Sequence, residues 1–402
     1  MQFPLKLSPF SVKAVRRIDS LMTATDRYFK HENEPFARVK DVAEFLDSAG
    51  FSREWTLKAI ASLSEDSKES DAAGRIISFF SMLVYGGEKT IFCQHDKRDG
   101  NRSIKITSMD VKPLFDGLQQ GNTKITFMTG TMPPAFFTSH AGVPVSIKKE
   151  FALPRRNLAV FPACRSLSSP KKLSSYYQSR DDADVLNGFG DYLHDVLPFI
   201  PNGSIAFFTS YSFRDSVIKS WERKGYLDYD DDATYRFSAG NGLKIPAFVE
   251  QSKDKEKTAI VKYKRSALAG HALLLSVFRG GASEGEDFPG KQCKGVFCIG
   301  LPLRNVSSPE IKYKMSYYDS IKPGTGEYWL QWDAMTVVSQ AIGRGIRDPF
   351  HDTSFAVLLD TRYCDSIYQR LMSAWIRECV DPDGNVNTPN RVAERARSFF
   401  PA

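Results

Sequence analysis

Residues 272–290 read ALLLSVFRGGASEGEDFPG. An apolar run broken only by Ser276 passes directly into a loop of glycines, a hydroxyl and carboxylates. A run of that length without polar alternation predicts a β-strand buried on both faces, as in a parallel sheet covered by helices. The design recurs: residues 125–128 lead into TGTMPP, 205–208 into TSY, 296–299 into GLPL and 355–359 into Asp360. Residues 212–224 and 328–347 read as helices between such runs. This alternation predicts an α/β fold with a doubly wound parallel sheet. Each polar stretch follows its strand, and carboxyl ends of strands are where open α/β sheets bind ligands. The motifs are therefore expected to converge on one edge.

Outward from this core, the first ninety residues read differently. Apolar residues at three-to-four spacing over 12–29, 39–49 and 55–63, with a further apolar stretch over 75–85, predict a helical subdomain across 1–89. The chain of 402 residues has room for two or three domains. Its net charge of +7 permits a polyanionic partner without requiring one. No apolar run approaches the roughly 18 residues of a membrane span. The stretch MQFPLKLSPF lacks a signal peptide's apolar core, so a cytoplasmic location without a membrane partner is expected. The six cysteines, at 93, 164, 293, 298, 364 and 379, form no C-x-x-C pair. They suit neither a disulfide framework nor the ligand set of an iron–sulphur cluster, and no metal site is expected.

Five stretches could carry chemistry. In QAIGRGIR, residues 340–347, a helix would place Gln340, Arg344 and Arg347 along one face, ending at Asp348-Pro349. Gly343 and Gly345 would let a ligand or another backbone approach. Two always-charged guanidinium forks suit phosphate oxygens, although a solvated basic face has the same composition. In the loop after residue 278, Ser283, Glu284, Gly285 and Asp287 could bond a ribose or position a water, or simply form a polar connection. Thr129, Gly130 and Thr131 mark a turn or a site. Ser210 and Tyr211 could bond a phosphate and stack on a base, and Ser210 equally suits a helix N-cap. DYDDDA, residues 228–233, could hold a divalent cation or form an exposed acidic loop. No G-x-x-x-x-G-K-[ST] loop occurs, and no acidic pair follows a strand to hold magnesium. The arginines have no phosphate cradle beside them in this sequence.

In order and spacing these stretches resemble the C-terminal half of superfamily 2 DNA helicases of the XPD/DinG type. TGTMPP is similar to motif III, FFTSY to motif IV, RGGASEGEDFPG to motif V (usually RGKFSEGIDF) and QAIGRGIR with FAVLLDTRY to motif VI and its following strand. GLPLRN and KYKMSYYD resemble the segment after motif V. The resemblance covers roughly residues 90–370, and QAIGRGIR with SEGEDF is its specific part. Within it, Glu286 replaces an aliphatic residue, and a carboxylate there is costly unless solvated or paired. Gly281 stands where a lysine is usual, and Met132 and Pro133 alter motif III.

The resemblance implies a RecA-like second helicase domain over 136–402, the end of a first RecA-like domain over 90–135 and a partial Arch-like subdomain over 1–89. It implies that Arg344 and Arg347 act as arginine fingers on ATP, with Gln340 positioning them or the attacking water. Gly343, Thr129, Gly130 and Thr131 would line the nucleotide, and Glu284, Gly285 and Asp287 would couple it to DNA. Ser210, Tyr211 and Ser283 would touch single-stranded DNA. ATP and Mg2+ would be bound mainly by an N-terminal half carrying Walker A and B motifs, upstream or on a separate chain. A 5′-to-3′ DNA helicase with a role in DNA repair is the expected whole. A catalytically inactive RecA-like nucleic-acid-binding or regulatory module is the alternative.

Overall fold

The computed structural model describes residues 128–142, 156–166, 171–230, 234–252, 257–283 and 285–400 continuously. It also describes 36–38, 91–98 and 101–109, and isolated positions within 52–61, 107–126 and 153–154. The helical runs expected at 12–29, 39–49 and 75–85 lie outside the described residues. In the run at 55–63, Trp55, Leu57, Lys58 and Ala61 are helical, and Lys58 pairs with Glu54 one turn back at 2.8 Å. The chain divides into two compact units, the first formed by Met1–Phe127, Pro133–Ile147 and Asn305–Glu327. The second comprises Met128–Met132, Lys148–Arg304 and Tyr328–Ala402.

In the first unit, β1 (Phe36–Arg38), β2 (Ile91–Arg98) and β3 (Asn101–Ser108) form an antiparallel sheet in that order. The β2–β3 register closes with Arg98 opposite Asn101, across Asp99-Gly100, a dipeptide that signals a two-residue hairpin connection. This unit also contains α1 (Ala135–His140). The strand expected at 125–128 is not seen: the described residues Thr126 and Met128 belong to no strand. A strand exists only where a neighbour completes its hydrogen bonds, and none does so for them among the described residues.

The second unit is built on an eight-stranded sheet. In chain order its elements are β4 (Leu158–Ala163), α2 (Ala183–Val196), β5 (Gly203–Phe208), α3 (Tyr211–Lys224), β6 (Leu227–Asp230), β7 (Thr234–Ser238) and β8 (Lys244–Val249). Then come α4 (Thr258–Ala269), β9 (Ala272–Val277), β10 (Gly295–Ile299), α5 (Pro309–Ile321, in the first unit), α6 (Thr325–Ile342) and β11 (Ser354–Leu359). Three short helices close the chain: α7 (Ser366–Leu371), α8 (Ala374–Arg377) and α9 (Pro389–Phe399). The strand order is β4-β11-β10-β5-β9-β8-β7-β6. Six strands from β4 to β8 run parallel, as the apolar runs predict, and β7 and β6 add an antiparallel margin. Edge strand β4 carries Pro162, and in β8 Pro246 pairs only toward β7, outside the β8–β9 register that begins at Ala247.

Alternation along the strands explains why they read as unbroken apolar runs. Ala206, Phe208, Leu275 and Phe297 pack with α2, α3 and α9 on one face. Ile205, Phe207, Leu274 and Val296 pack with α4 and α6 on the other. Successive side chains face opposite sides, so a sheet covered twice needs apolar residues at every position.

One expectation fails. The helix predicted through Arg347 stops at Ile342 and is followed by a tight turn over Gly343–Gly345, with Ile346 extended. The cause is tertiary. A β-carbon on Gly345 would lie 2.1 Å from the Ser354 hydroxyl, at the first residue of β11. The backbone has to leave the helix there to pass β11. Gln340, Arg344 and Arg347 are therefore not aligned by helical periodicity.

Candidate functional site

The arginine turn lies at the amino end of β11, since Gly345 packs on Ser354 and its absent β-carbon would also meet the Cys293 carbonyl, 3.2 Å away, just before β10. This corrects the expectation that all motifs meet at the carboxyl edge. The motifs after β5, β9, β10 and β11 do start there. The loop from Arg279 to Gln292, however, runs from the carboxyl end of β9 to the amino end of β10. It touches both edges of the sheet, and its far part meets the arginines.

At the carboxyl edge this loop is anchored by charge. Arg279 adopts φ 60°, rare for a residue with a side chain. Its guanidinium donates to the Pro302 carbonyl at 3.0 Å and to the Asp333 carboxylate on α6, which Arg304 also engages at 2.9 Å. Glu250, buried after β8, accepts from the Gly281 backbone N–H at 2.6 Å and from the Ser276 hydroxyl. A β-carbon on Gly281 would stand 3.0 Å from that carboxylate, so the lysine usual at this position has no straightforward place. Ser283 is buried and its hydroxyl donates to the Gly280 carbonyl at 3.2 Å. Glu284 lies outside the described residues. Gly285, at φ 85°, turns the loop toward the other edge.

There the arginines take over. Arg344 donates to the carbonyls of Ser283 and Glu286. Arg347 pairs with the Asp287 carboxylate and reaches the same Glu286 carbonyl at 3.5 Å. Arg347 and Asp287 are exposed, with 40% and 66% of their side chains accessible. Asp352 fixes the turn by accepting from the Arg347 and Asp348 backbone N–H groups at 2.9 and 2.8 Å. Gln340 is exposed on the last turn of α6. The Glu286 carboxylate accepts from Lys257 and Lys264 of the α4 segment, each at 2.6 Å. Burial alone pushes this carboxyl up, but the hydrogen bonds from Lys257 and Lys264 and their charges hold it below its ordinary value.

Thr129, Gly130 and Thr131 form a local turn in which the Thr131 N–H donates to the Thr129 hydroxyl at 3.1 Å. The Gly130 carbonyl accepts from the Trp375 indole at 2.9 Å. The same ring lies 3.8 Å from where a β-carbon on Gly343 would stand, so one tryptophan contacts both stretches. Ser210 is the N-cap of α3, accepting from the Phe213 N–H at 3.2 Å. Beside it, burial and then Glu250 push the Tyr211 hydroxyl up from its ordinary value. The acidic stretch resolves into hairpin pairing: Asp230 meets Arg236 at 2.8 Å and Asp228 meets Lys244 at 3.0 Å. Asp231 and Asp232 lie outside the described residues. Among the described residues no three His, Cys, Asp or Glu side chains could hold a metal ion, and no helix is long and apolar enough to cross a membrane.

Trp375, Glu250, Asp352 and the Lys257–Lys264 pair escaped sequence reasoning. A tryptophan in a short C-terminal helix, and one lysine just ahead of a helix with another within it, carry no local signal. Only the carboxylate at Glu286 hinted that cations had to be nearby.

The profile of the Helicase C-terminal domain matches residues 193–379. The ATP-dependent DNA helicase CHL1 of Meyerozyma guilliermondii is 26% identical over 94% of this chain and 46% of its own length. The general transcription and DNA repair factor IIH helicase subunit XPD of Dictyostelium discoideum is 27% identical over 68% of this chain and 34% of its own. The regulator of telomere elongation helicase 1 homolog of Caenorhabditis elegans is 26% identical over 73% of this chain and 31% of its own. The chain thus spans less than half the length of these relatives. A solved apo XPD structure superposes with TM-score 0.50 at 19% identity, covering 82% of this chain and 62% of that one. The fold of the eight-stranded unit is RecA-like.

Proposed function

We propose that the chain, similar to the C-terminal part of XPD-like superfamily 2 helicases, supplies the arginine side of an ATP site in a 5′-to-3′ DNA helicase. The observation that carries this reading is the meeting of Arg344 and Arg347 on the Glu286 carbonyl, with Arg347 still exposed. A phosphate chain arriving beside this turn would find two guanidinium forks held by one loop. ATP and Mg2+ would be bound mainly by a half bearing the Walker A and B motifs, upstream or on another chain. Arg347 would leave Asp287 for the γ-phosphate, while Arg344, tied to two carbonyls, would keep the turn in place. Gln340 would help to position them or the attacking water. Thr129, Gly130, Thr131 and Gly343 would border the nucleotide.

The loop spanning the sheet would link this site to single-stranded DNA at the carboxyl edge, near Ser210 and Tyr211. We assign Lys148–Arg304 with Tyr328–Ala402 to the second RecA-like domain; the expected boundary between 1–89 (Arch-like) and 90–135 (end of a first RecA-like domain) is crossed by the β1–β2 pairing, and within the expected 136–402, residues up to Ile147 and Asn305–Glu327 group with the first unit. A DNA repair role belongs to the same reading.

Arg347→Ala in the smallest assembly that hydrolyses ATP tests the proposal. Losing an arginine finger costs roughly 10³–10⁵ in turnover. A loss of that order with an unchanged circular dichroism spectrum supports the reading, and unchanged hydrolysis sinks it. A second reading, a regulatory or nucleic-acid-binding module without catalysis, is favoured by one observation. Both arginines already bond protein oxygens in the loop. Unchanged hydrolysis with intact DNA binding would select it.

A further inference from the structure

Glu286 stands where the related motif carries an aliphatic residue, and its surroundings give it a task. Its side chain is largely buried, 18% accessible, and each carboxylate oxygen receives a lysine: Oε1 from Lys257 and Oε2 from Lys264, both at 2.6 Å. Its main-chain carbonyl receives Arg344 and Arg347. One residue is therefore gripped by two cations through its side chain and offers its backbone to two more. Lys264 is itself braced, with its ammonium 4.9 Å from the centre of the Phe288 ring. Lys257 sits at φ 52°, just ahead of α4. An aliphatic side chain would leave both ammonium groups without this carboxylate, and the carbonyl would lose its tether to α4.

We propose that Glu286 is a positioning residue for the arginine turn: Lys257 and Lys264 hold its carboxylate so that its carbonyl sets where Arg344 and Arg347 stand. This rests on the reading of those arginines as ATP-site residues. It adds a device made from this chain's own departure from the related motif. The lysines attach the loop to α4, so a movement of α4 is transmitted to the arginines through one side chain.

The test uses Glu286→Gln, Glu286→Ile and the double variant Lys257→Met/Lys264→Met, assayed for ATP hydrolysis in the smallest active assembly. Amide hydrogen exchange of residues 283–288 is measured in parallel. Misplacing reacting groups by about 1 Å costs on the order of 100-fold in rate. We expect kcat to fall roughly 10- to 100-fold in each variant while KM for ATP changes far less, and exchange in 283–288 to accelerate. Combining Glu286→Gln with the lysine variant should add little, because both break one tether. Charge reversal, Glu286→Lys with Lys257→Glu and Lys264→Glu, should restore part of kcat. Unchanged kcat in Glu286→Gln, whatever the exchange result, overturns the inference, provided that Arg347→Ala abolishes turnover. If Arg347→Ala leaves turnover intact, the underlying reading of the arginines has failed instead. Should Glu286→Ile fail to fold, the lysine variant alone still decides, since both its positions are partly exposed.

Discussion

Two aspartate–arginine pairs stand at opposite edges of the same sheet, and their surroundings are opposite. At the carboxyl edge, Asp360 follows β11 and is fully buried. It accepts from the Ser175 backbone N–H and hydroxyl, each at 2.9 Å, and from Arg362 at 2.8 Å. The Arg362 guanidinium also lies 4.2 Å from the centre of the Tyr176 ring. At the amino edge, Arg347 meets Asp287 in the open. The first pair has exchanged water for a complete set of partners, so it holds only in one geometry. The second keeps its solvent and costs little to open, and in the proposed reading Arg347 trades Asp287 for a phosphate. The same two residue types thus form a buried, fully partnered pair at one edge and a solvated, readily opened pair at the other.

The comparison breaks most sharply in mutants. Arg347→Ala is expected to change unfolding free energy by less than about 1 kcal/mol, because an exposed pair contributes little. Its large effect falls on hydrolysis alone. Arg362→Ala should destabilise the chain by roughly 3–5 kcal/mol, since it leaves the Asp360 charge buried without its cation. Urea unfolding of both variants checks this, and equal losses would collapse the distinction between the edges. Gly345→Ala should cost about 1–3 kcal/mol by forcing Ser354 away from the turn. That loss should come with displaced arginines and slower hydrolysis, whereas a neutral result would mean the turn can shift freely.

The smallest effect is a pH dependence. Glu286 has its carboxyl held below the ordinary glutamate value, facing Lys257 and Lys264 on its side chain and Arg344 and Arg347 at its carbonyl. Its contribution is therefore fully present above the ordinary value of about 4.3 and is lost as pH falls through the lower folded value. The lysines stay charged throughout that window. The stability gap between the protein and Glu286→Gln should be widest near neutrality and close in acid. A gap independent of pH would show that the lysine pairing contributes nothing.

Much of this architecture was legible beforehand. The runs at 205–208, 272–278, 296–299 and 355–359 became β5, β9, β10 and β11, because burial on both faces leaves an unmistakable absence of alternation. The resemblance to superfamily 2 helicases, carried by SEGEDF and QAIGRGIR, matched the later comparisons. Strand β4 carries a weaker signal, since Pro162 cannot donate to a ladder and argues against a strand paired on both sides of that residue. The β2–β3 hairpin has a signal in Asp99-Gly100, but the polar residues on either side of it give no apolar alternation to mark the strands. The break after Ile342 had no readable cause: glycines are compatible with either a helix or a turn, and Ser354, the atom that decides, comes nine positions after Gly345.

What the sequence determined by itself was the order of buried strands and the chemical types at their ends. Both follow from local patterning, in which each residue's solvent preference is expressed by its neighbours. Tertiary structure alone decided which edge each motif occupies and which charges face one another. Glu286 meets Lys257 and Lys264 from 29 and 22 residues away, and Arg344 meets Ser283 from 61 residues away. Such pairings depend on how strands are laid side by side, and no local window of sequence encodes that order.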